Sequence, residues 1–244
     1  MAAMKFGRLI LLGTINLMLS LFIGCKKDPN ARVIKLESTS AFKEIVLDDA
    51  FDLTIYQDSV YSIEINAHED FIEEIEYTIV DSVLNIQNNS GKRWRNPETN
   101  KISITIHCDR PRLIQANESC FIKTGNPIVS NELGLVVYGK LNQADLELNG
   151  NVFYFWNNHP CGGKLILRGK TDQLKLWSFA IMQVDASSCE SRYGLVENFS
   201  KGDCKVNISE KLDYSLQGEG NILLKGNPTL QLLKQTSTGS LIRE

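Results

Sequence analysis

Histidine, proline and metal-spaced cysteine are scarce in this sequence, and each shortage removes a class of function. His68, His107 and His159 are the only histidines and no CxxC pair occurs, so no ligand set for a structural zinc can be assembled. His107 and Cys108 are adjacent, but neighbouring residues of a strand point to opposite faces and cannot grip one ion. No nucleophile elbow and no phosphate loop occurs, so no motif-borne chemistry is expected, and neither is a cofactor. A sustained helical period is also missing; only His68 to Glu73, HEDFIE, reads as a helical turn. Charge of one sign is lacking too, with 26 basic against 29 acidic residues and a formal net charge of -3. The single basic cluster, Lys92-Arg93-Trp94-Arg95, sits between Gly91 and Asn96-Pro97 in a polar connector and reads as a solvated loop. Nucleic acid is therefore not an expected partner.

What is present begins at the first residues. Lys5 and Arg8 precede the apolar run Leu9 to Ile23, which ends at Gly24-Cys25. This is the pattern of a secretory signal, and the run falls short of the roughly 20 apolar residues of a membrane-spanning helix. Leu21-Phe22-Ile23-Gly24-Cys25 resembles a bacterial lipobox, with cleavage before the cysteine and the lipid on its sulfur. Residues 1–24 are thus expected to be a lipoprotein signal peptide and residues 25–32 a polar tether, with membrane attachment through Cys25. Loss of Lys5 and Arg8 leaves a mature net charge of -5. The expected location is the outer membrane, with the domain periplasmic or surface-exposed.

The mature residues 33–244 read as one domain. From Val33 to about Arg110 short strands follow one another: Ile45 and Leu47, Leu53 and Ile55, Ile63 and Ile65, Leu84 and Ile86, and Ile102, Ile104 and Ile106 all alternate with polar residues. Asp81-Ser82 reads as a hairpin turn. The second part, residues 111–244, repeats itself. A shift of thirty residues lays Leu135, Val137, Gly139 and Leu146 on Leu165, Leu167, Gly169 and Leu176. Leu212 to Pro228, LDYSLQGEGNILLKGNP, shows the unit most clearly as strand, glycine turn, strand and loop. One such unit cannot bury its apolar stripe alone, whereas stacked units bury a continuous core. The expected fold is all-β: a right-handed parallel β-solenoid, or β-helix, with residues 33–110 as a β-rich cap over the repeat rungs. Gly139, Gly169, Gly218 and Gly220 are its predicted corner residues, where positive φ is often needed. An antiparallel sandwich is the alternative, since short strands and glycine turns serve both folds.

Five cysteines remain after Cys25, an odd number for an exported chain. Cys161 and Cys189 both lie in loops just upstream of repeat units and form the candidate disulfide. For catalysis, the thirty-residue register would stack Asp145, Lys175 and Lys205 on one outer face, a thin acid-and-lysine set that reads as solubilising surface. For binding, Phe153, Tyr154, Phe155 and Trp156 run consecutively, so alternation sends two of them outward, and Trp177 and Phe179 have the parity opposite to Leu176. Phe153, Phe155, Trp177 and Phe179 are the candidate binding face, suited to a glycan or an envelope protein.

The chain resembles the head GIN domain family of auto-transporter adhesins, common in lipoproteins of Bacteroidota. The resemblance rests on FKEIVLDDAFDLTIYQDSVYSIEI from Phe42, ISITIHCDRPRLIQANES from Ile102, and LDYSLQGEGNILLKGNP with TSTGSLI at the end. It implies a parallel β-solenoid and carries no catalytic residues. In such a bacterium Asp58-Ser59-Val60 and Asp81-Ser82-Val83 also resemble O-glycosylation sites, with the sugar on Ser59 and Ser82. The function expected is non-catalytic adhesion, binding or scaffolding in the cell envelope; the alternative is a carbohydrate-binding or polysaccharide-active β-helix.

Overall fold

Alternating apolar and polar residues form strand along most of the described residues. The computed structural model describes residues 31–90, 101–158 and 160–244. The N-terminal apolar run, Cys25, the stretch Lys92 to Arg95 and His159 lie outside them. The first half contributes β1 (Arg32–Ser38), β2 (Glu44–Leu47), β3 (Asp52–Gln57), β4 (Ser62–His68), β5 (Ile75–Val80), β6 (Val83–Asn88) and β7 (Ser103–Cys108). The second contributes β8 (Leu113–Ala116), β9 (Phe121–Thr124), β10 (Glu132–Val137), β11 (Leu141–Asn157), β12 (Gly162–Ser200), β13 (Cys204–Leu216), β14 (Ile222–Lys225), β15 (Thr229–Gln235) and β16 (Leu241–Arg243). All belong to one sheet wound into a parallel β-solenoid, and Arg32–Glu244 form one compact unit.

Each turn of the solenoid has two walls. β3, β7, β9 and the first part of β11 build one wall, while β2, β6, β8, β10 and the last part of β11 build the other. β11, β12 and β13 run on as strand round corners, with register shifts at some of them, which is why they are so long. Leu141 lies beside Gly162, twenty-one residues on, and Cys204 beside Ile222, eighteen on. The expected thirty-residue repeat is corrected by this register. Thirty residues is about a turn and a half, so the shift superposed one wall on the other. Asp145, Lys175 and Lys205 accordingly do not stack: Asp145 faces Ile166, Lys175 faces Tyr154, and Lys205 lies between Asp185 and Leu223.

Inward positions form two facing ladders, among them Ile45, Ile114, Leu135, Phe155, Leu176 and Val196 on one wall and Leu53, Ile122, Leu146, Leu167, Val206 and Leu224 on the other, all buried. Each such side chain contributes about 1.5–3 kcal/mol by leaving water. Because the walls are parallel and both pack inward, every turn depends on its neighbours for burial.

The N-terminal part does more than cap. β2 and β3 are themselves a turn, and β6 and β7 return to stack on its outer side, so the chain's first turn becomes the second in space. Closure falls to β1, β4 and β5, which pair antiparallel with β4, β7 and β6 respectively. Asp81 and Ser82 both take positive φ, 52° and 65°, in the two-residue turn between β5 and β6. The expected helical turn is a short 3-10 segment, Ile72–Glu74. Across the end, the Tyr77 hydroxyl donates to the Glu37 carboxylate, tying β5 to β1. Burial and that carboxylate push the Tyr77 hydroxyl up to about 12.

The corner glycines are present where expected, but the reason differs at three of four. Gly169 has φ +90°. Gly139, Gly218 and Gly220 have no positive φ. They are glycine because successive turns approach backbone to backbone: a Cβ on Gly218 would lie 2.1 Å from the Ser200 carbonyl oxygen, and one on Gly220 2.0 Å from that of Gly202.

The Cys161–Cys189 pairing is corrected as well. Both thiols are free and buried. Cys161 sits at one corner, where the Ile181 amide donates to its carbonyl, and Cys189 ends the wall that starts at Ile181. Eight residues of extended chain separate Ile181 from Cys189, about 26 Å at full strand rise, far beyond the roughly 5.5–6 Å Cα spacing of a disulfide.

Candidate functional site

Exposed apolar side chains occur at the β1 end, Val33, Ile34 and Leu36, and in β15, Leu232 and Leu233, but aromatic rings gather in a row at one corner. There the chain leaves the wall containing Trp156 and Trp177, and four successive turns each place an aromatic ring at the edge. Tyr138 meets Trp156 edge-on with centroids 5.4 Å apart. Trp156 meets Phe179 at 6.2 Å, and Phe179 stacks on Phe199 at 4.5 Å with the planes 5° apart. Tyr138 is 43% exposed, and the other three rings are half-buried. Ile181, next to the row, is 64% exposed. Phe179, Ile181 and Phe199 line an open groove of about 720 Å3. Lys140 and Lys201 stand at its rim, Lys201 paired with Glu219 at 3.2 Å.

Buried amides hold this corner. Asn157 accepts from the Phe179 amide at 2.9 Å and donates to the Phe179 carbonyl at 3.1 Å, so its side chain acts as a missing piece of backbone. Asn198 donates to the Gly220 carbonyl at 3.0 Å and accepts from the Ser200 amide at 3.0 Å. Between Phe179 and Ile181, Ala180 is held at φ 59°. The left-handed region costs an L-residue about 1–2 kcal/mol, and here it projects two apolar side chains past the edge. Replacing Asn157 with alanine is expected to lower stability by about 1–3 kcal/mol, because the Phe179 amide and carbonyl lose their buried partner. The check is a urea titration, in which an unchanged midpoint would mean that Asn157 does not hold the row.

Of the four residues expected to form a binding face, two are at the surface. Trp177 lies outward beside Trp156, its indole N–H donating to Glu197 at 3.0 Å, and Phe179 is in the row. Phe153 and Phe155 point inward, each 1% exposed, packed in register with Leu133 and Leu135 on one side and Leu174 and Leu176 on the other. Tyr154 and Trp156 are the outward pair of that run. Tyr138 and Phe199 were not legible as partners of Phe179, since only the 18–21-residue register brings them together.

The serines of the Asp-Ser-aliphatic tripeptides, Ser59 and Ser82, are both exposed at the opposite corner. Asp58 separates Ser59 from the nearest histidine: its carboxylate is 3.2 Å from His107 Nδ1 and 3.4 Å from Ser59 Oγ. A Ser-His-Asp relay needs the ring between hydroxyl and carboxylate, so this trio has the wrong order for one.

The buried thiols are held in their protonated form, which makes them poor nucleophiles. Desolvation pushes Cys108, Cys120 and Cys204 up to about 12 and Cys189 up to about 11, and also raises Cys161.

The fold and this corner define a non-globular class of surface: a rigid parallel β-solenoid with an apolar, aromatic edge. The family model described as "Putative auto-transporter adhesin, head GIN domain" matches residues 41–228, and the chain belongs to that family. Among solved structures the chain is similar to a putative adhesin from Bacteroides fragilis NCTC 9343, with TM-score 0.79 and 18% identity over 88% of this chain and 98% of that one. It is also similar to putative adhesins from Parabacteroides distasonis ATCC 8503 (TM-score 0.63, 15% identity, 88% and 98% covered) and Parabacteroides merdae ATCC 43184 (TM-score 0.61, 16% identity, 88% and 97% covered). At these identities the likeness concerns the fold. No curated protein matches the sequence.

Proposed function

We propose that this chain is an exported, lipid-anchored, non-enzymatic adhesion protein of the outer membrane, and that its aromatic corner docks a protein partner in the cell envelope. The observation that carries the reading is the row Tyr138, Trp156, Phe179 and Phe199 beside exposed Ile181. Rigid aromatics offer large contact area at little entropic cost, and they are the residues enriched in the centres of protein interfaces. Lys140 adds a cation at the rim, which favours a partner segment that sets a carboxylate beside apolar side chains. Membership in the adhesin-described family and the lipobox-like Leu21 to Cys25 support export and anchoring.

Two measurements test this reading. A photo-crosslinking residue at Ile181, on intact cells, should give one discrete adduct with an envelope protein, whereas the same residue at Val129 on the opposite corner should give none. Equal labelling from both positions would sink the docking site. Cys25→Ala should move the protein from the membrane to the soluble fraction; retention in the membrane would remove the lipid anchor.

A further inference from the structure

We propose that the corner opposite the aromatic row is a second binding site, for a neutral oligosaccharide lying along the solenoid axis. This corner carries a groove of about 570 Å3 built from four successive turns, within the range of small-ligand pockets, about 300–1,000 Å3. Neighbouring turns are about 4.8 Å apart, so the groove extends far enough for a short linear polymer rather than a single small molecule.

The chemistry of the lining selects the ligand. At its centre Arg192 is fixed in place: Nη1 donates to Asp172 at 2.9 Å, Nε to Glu210 at 2.7 Å, and the guanidinium lies 5.0 Å from the centre of the Tyr193 ring. Around it the side chains of Asn149, Lys170, Glu190 and Asn207, one from each turn, make no hydrogen bond or ion pair among the described residues. Amide, ammonium and carboxylate together offer both donors and acceptors, which is what vicinal hydroxyls require. Lys170 and Arg192 face Asp172, Glu190 and Glu210, so the groove has no positive excess to attract a phosphate or a polyanion. An acyl chain would leave these polar groups unpaired, at a cost. Tyr193 lies beside the groove and helps to hold Arg192, whose Nη2 donates to its hydroxyl at 3.2 Å.

The test uses the full chain in mild detergent, titrated calorimetrically with cellotetraose, mannotetraose, xylotetraose and maltotetraose, and with tetragalacturonate as the acidic counterpart. At least one neutral tetrasaccharide should bind saturably. Asn207→Ala and Arg192→Ala should each weaken that binding roughly tenfold, the loss of a hydrogen bond or a charged one. The Asn207 side chain makes no hydrogen bond or ion pair among the described residues, so Asn207→Ala should keep the fold, and Ile34→Ser, at an exposed position of β1, should leave sugar affinity unchanged. The proposal is overturned if no neutral probe binds up to about 10 mM, above the millimolar range of weak sites, if only tetragalacturonate binds, or if the two variants leave affinity intact.

Discussion

Replacing Gly218 and Gly220 together by valine collapses the C-terminal turns of the solenoid. Each new Cβ would meet a carbonyl oxygen far inside van der Waals contact, 2.1 Å at Ser200 and 2.0 Å at Gly202. Those oxygens cannot give way, because the same turns are tied by Gly218 N–H to Asn198 C=O at 2.8 Å and Gly220 N–H to Ser200 C=O at 3.0 Å. Ordinary overpacking costs about 1–3 kcal/mol per site, and a clash with fixed backbone costs more. The pair is expected to remove at least about 5 kcal/mol, comparable with the whole stability of many domains. In a solenoid the loss is local first, so turns after Ser200 should open before the rest. Circular dichroism melting with hydrogen exchange reads this: early exchange over residues 200–244 and a fall of the main transition are expected. A double variant that melts with the parent would show that these turns do not stack as described. The proposed export and lipid attachment at Cys25 should be unaffected, since both would act on the unfolded chain.

Alkali is expected to destabilise the fold steeply. In the folded chain Cys108, Cys120 and Cys204 hold their protons to about pH 12 and Cys189 to about 11, because burial disfavours the thiolate. Once unfolded, the same thiols ionise near the ordinary value of about 8.5. Above that value the unfolded state carries fewer protons than the folded one, so stability falls as pH rises and the loss continues until the folded thiols ionise. Each fully buried group contributes about 1.4 kcal/mol per pH unit, and the four together roughly 5 kcal/mol per unit. Below pH 8 the term vanishes. Urea midpoints at pH 8, 9 and 10 test it: the midpoint should drop sharply across the series, and a Cys120→Ala/Cys204→Ala variant should show about half the slope. A midpoint independent of pH would contradict the burial of these thiols.

Much of the fold can be read from residues whose parity leaves no choice. Ile45 and Leu47, Leu53 and Ile55, and Ile104 and Ile106 alternate cleanly, and all are buried. Asp81-Ser82 announces its hairpin because so few pairs tolerate positive φ twice. The register could not be read the same way. Both walls carry the same apolar alternation, so a shift of one and a half turns matches Leu135 to Leu165 as well as a true turn matches Leu146 to Leu167. Corners of unequal length, with register breaks such as that between Ala186 and Glu190, blur the real period further.

The same ambiguity governed the site. Phe153 to Trp156 are all aromatic, so alternation fixes that two face out without saying which two. Only pairing with Leu174 and Leu176 sends Phe153 and Phe155 inward and leaves Trp156 for the row. Cys161 and Cys189 each precede an apparent repeat unit, yet they stand at opposite corners, a distinction of fold that spacing does not carry. The placement of β6 outside β2 and of β7 outside β3 was also hidden, because parallel pairing leaves no mark of which neighbour a strand will take.

The proposed function requires that the solenoid bind through its aromatic corner. Hydrogen exchange of the full chain, free and bound to its crosslinked envelope partner, tests it most directly. Protection should be confined to the turns at 138–140, 156–158, 179–181, 199–201 and 217–219, with residues 149–151, 170–172 and 190–192 unchanged. Protection that spares 179–181 and 199–201, or that spreads evenly over both corners, would contradict the account.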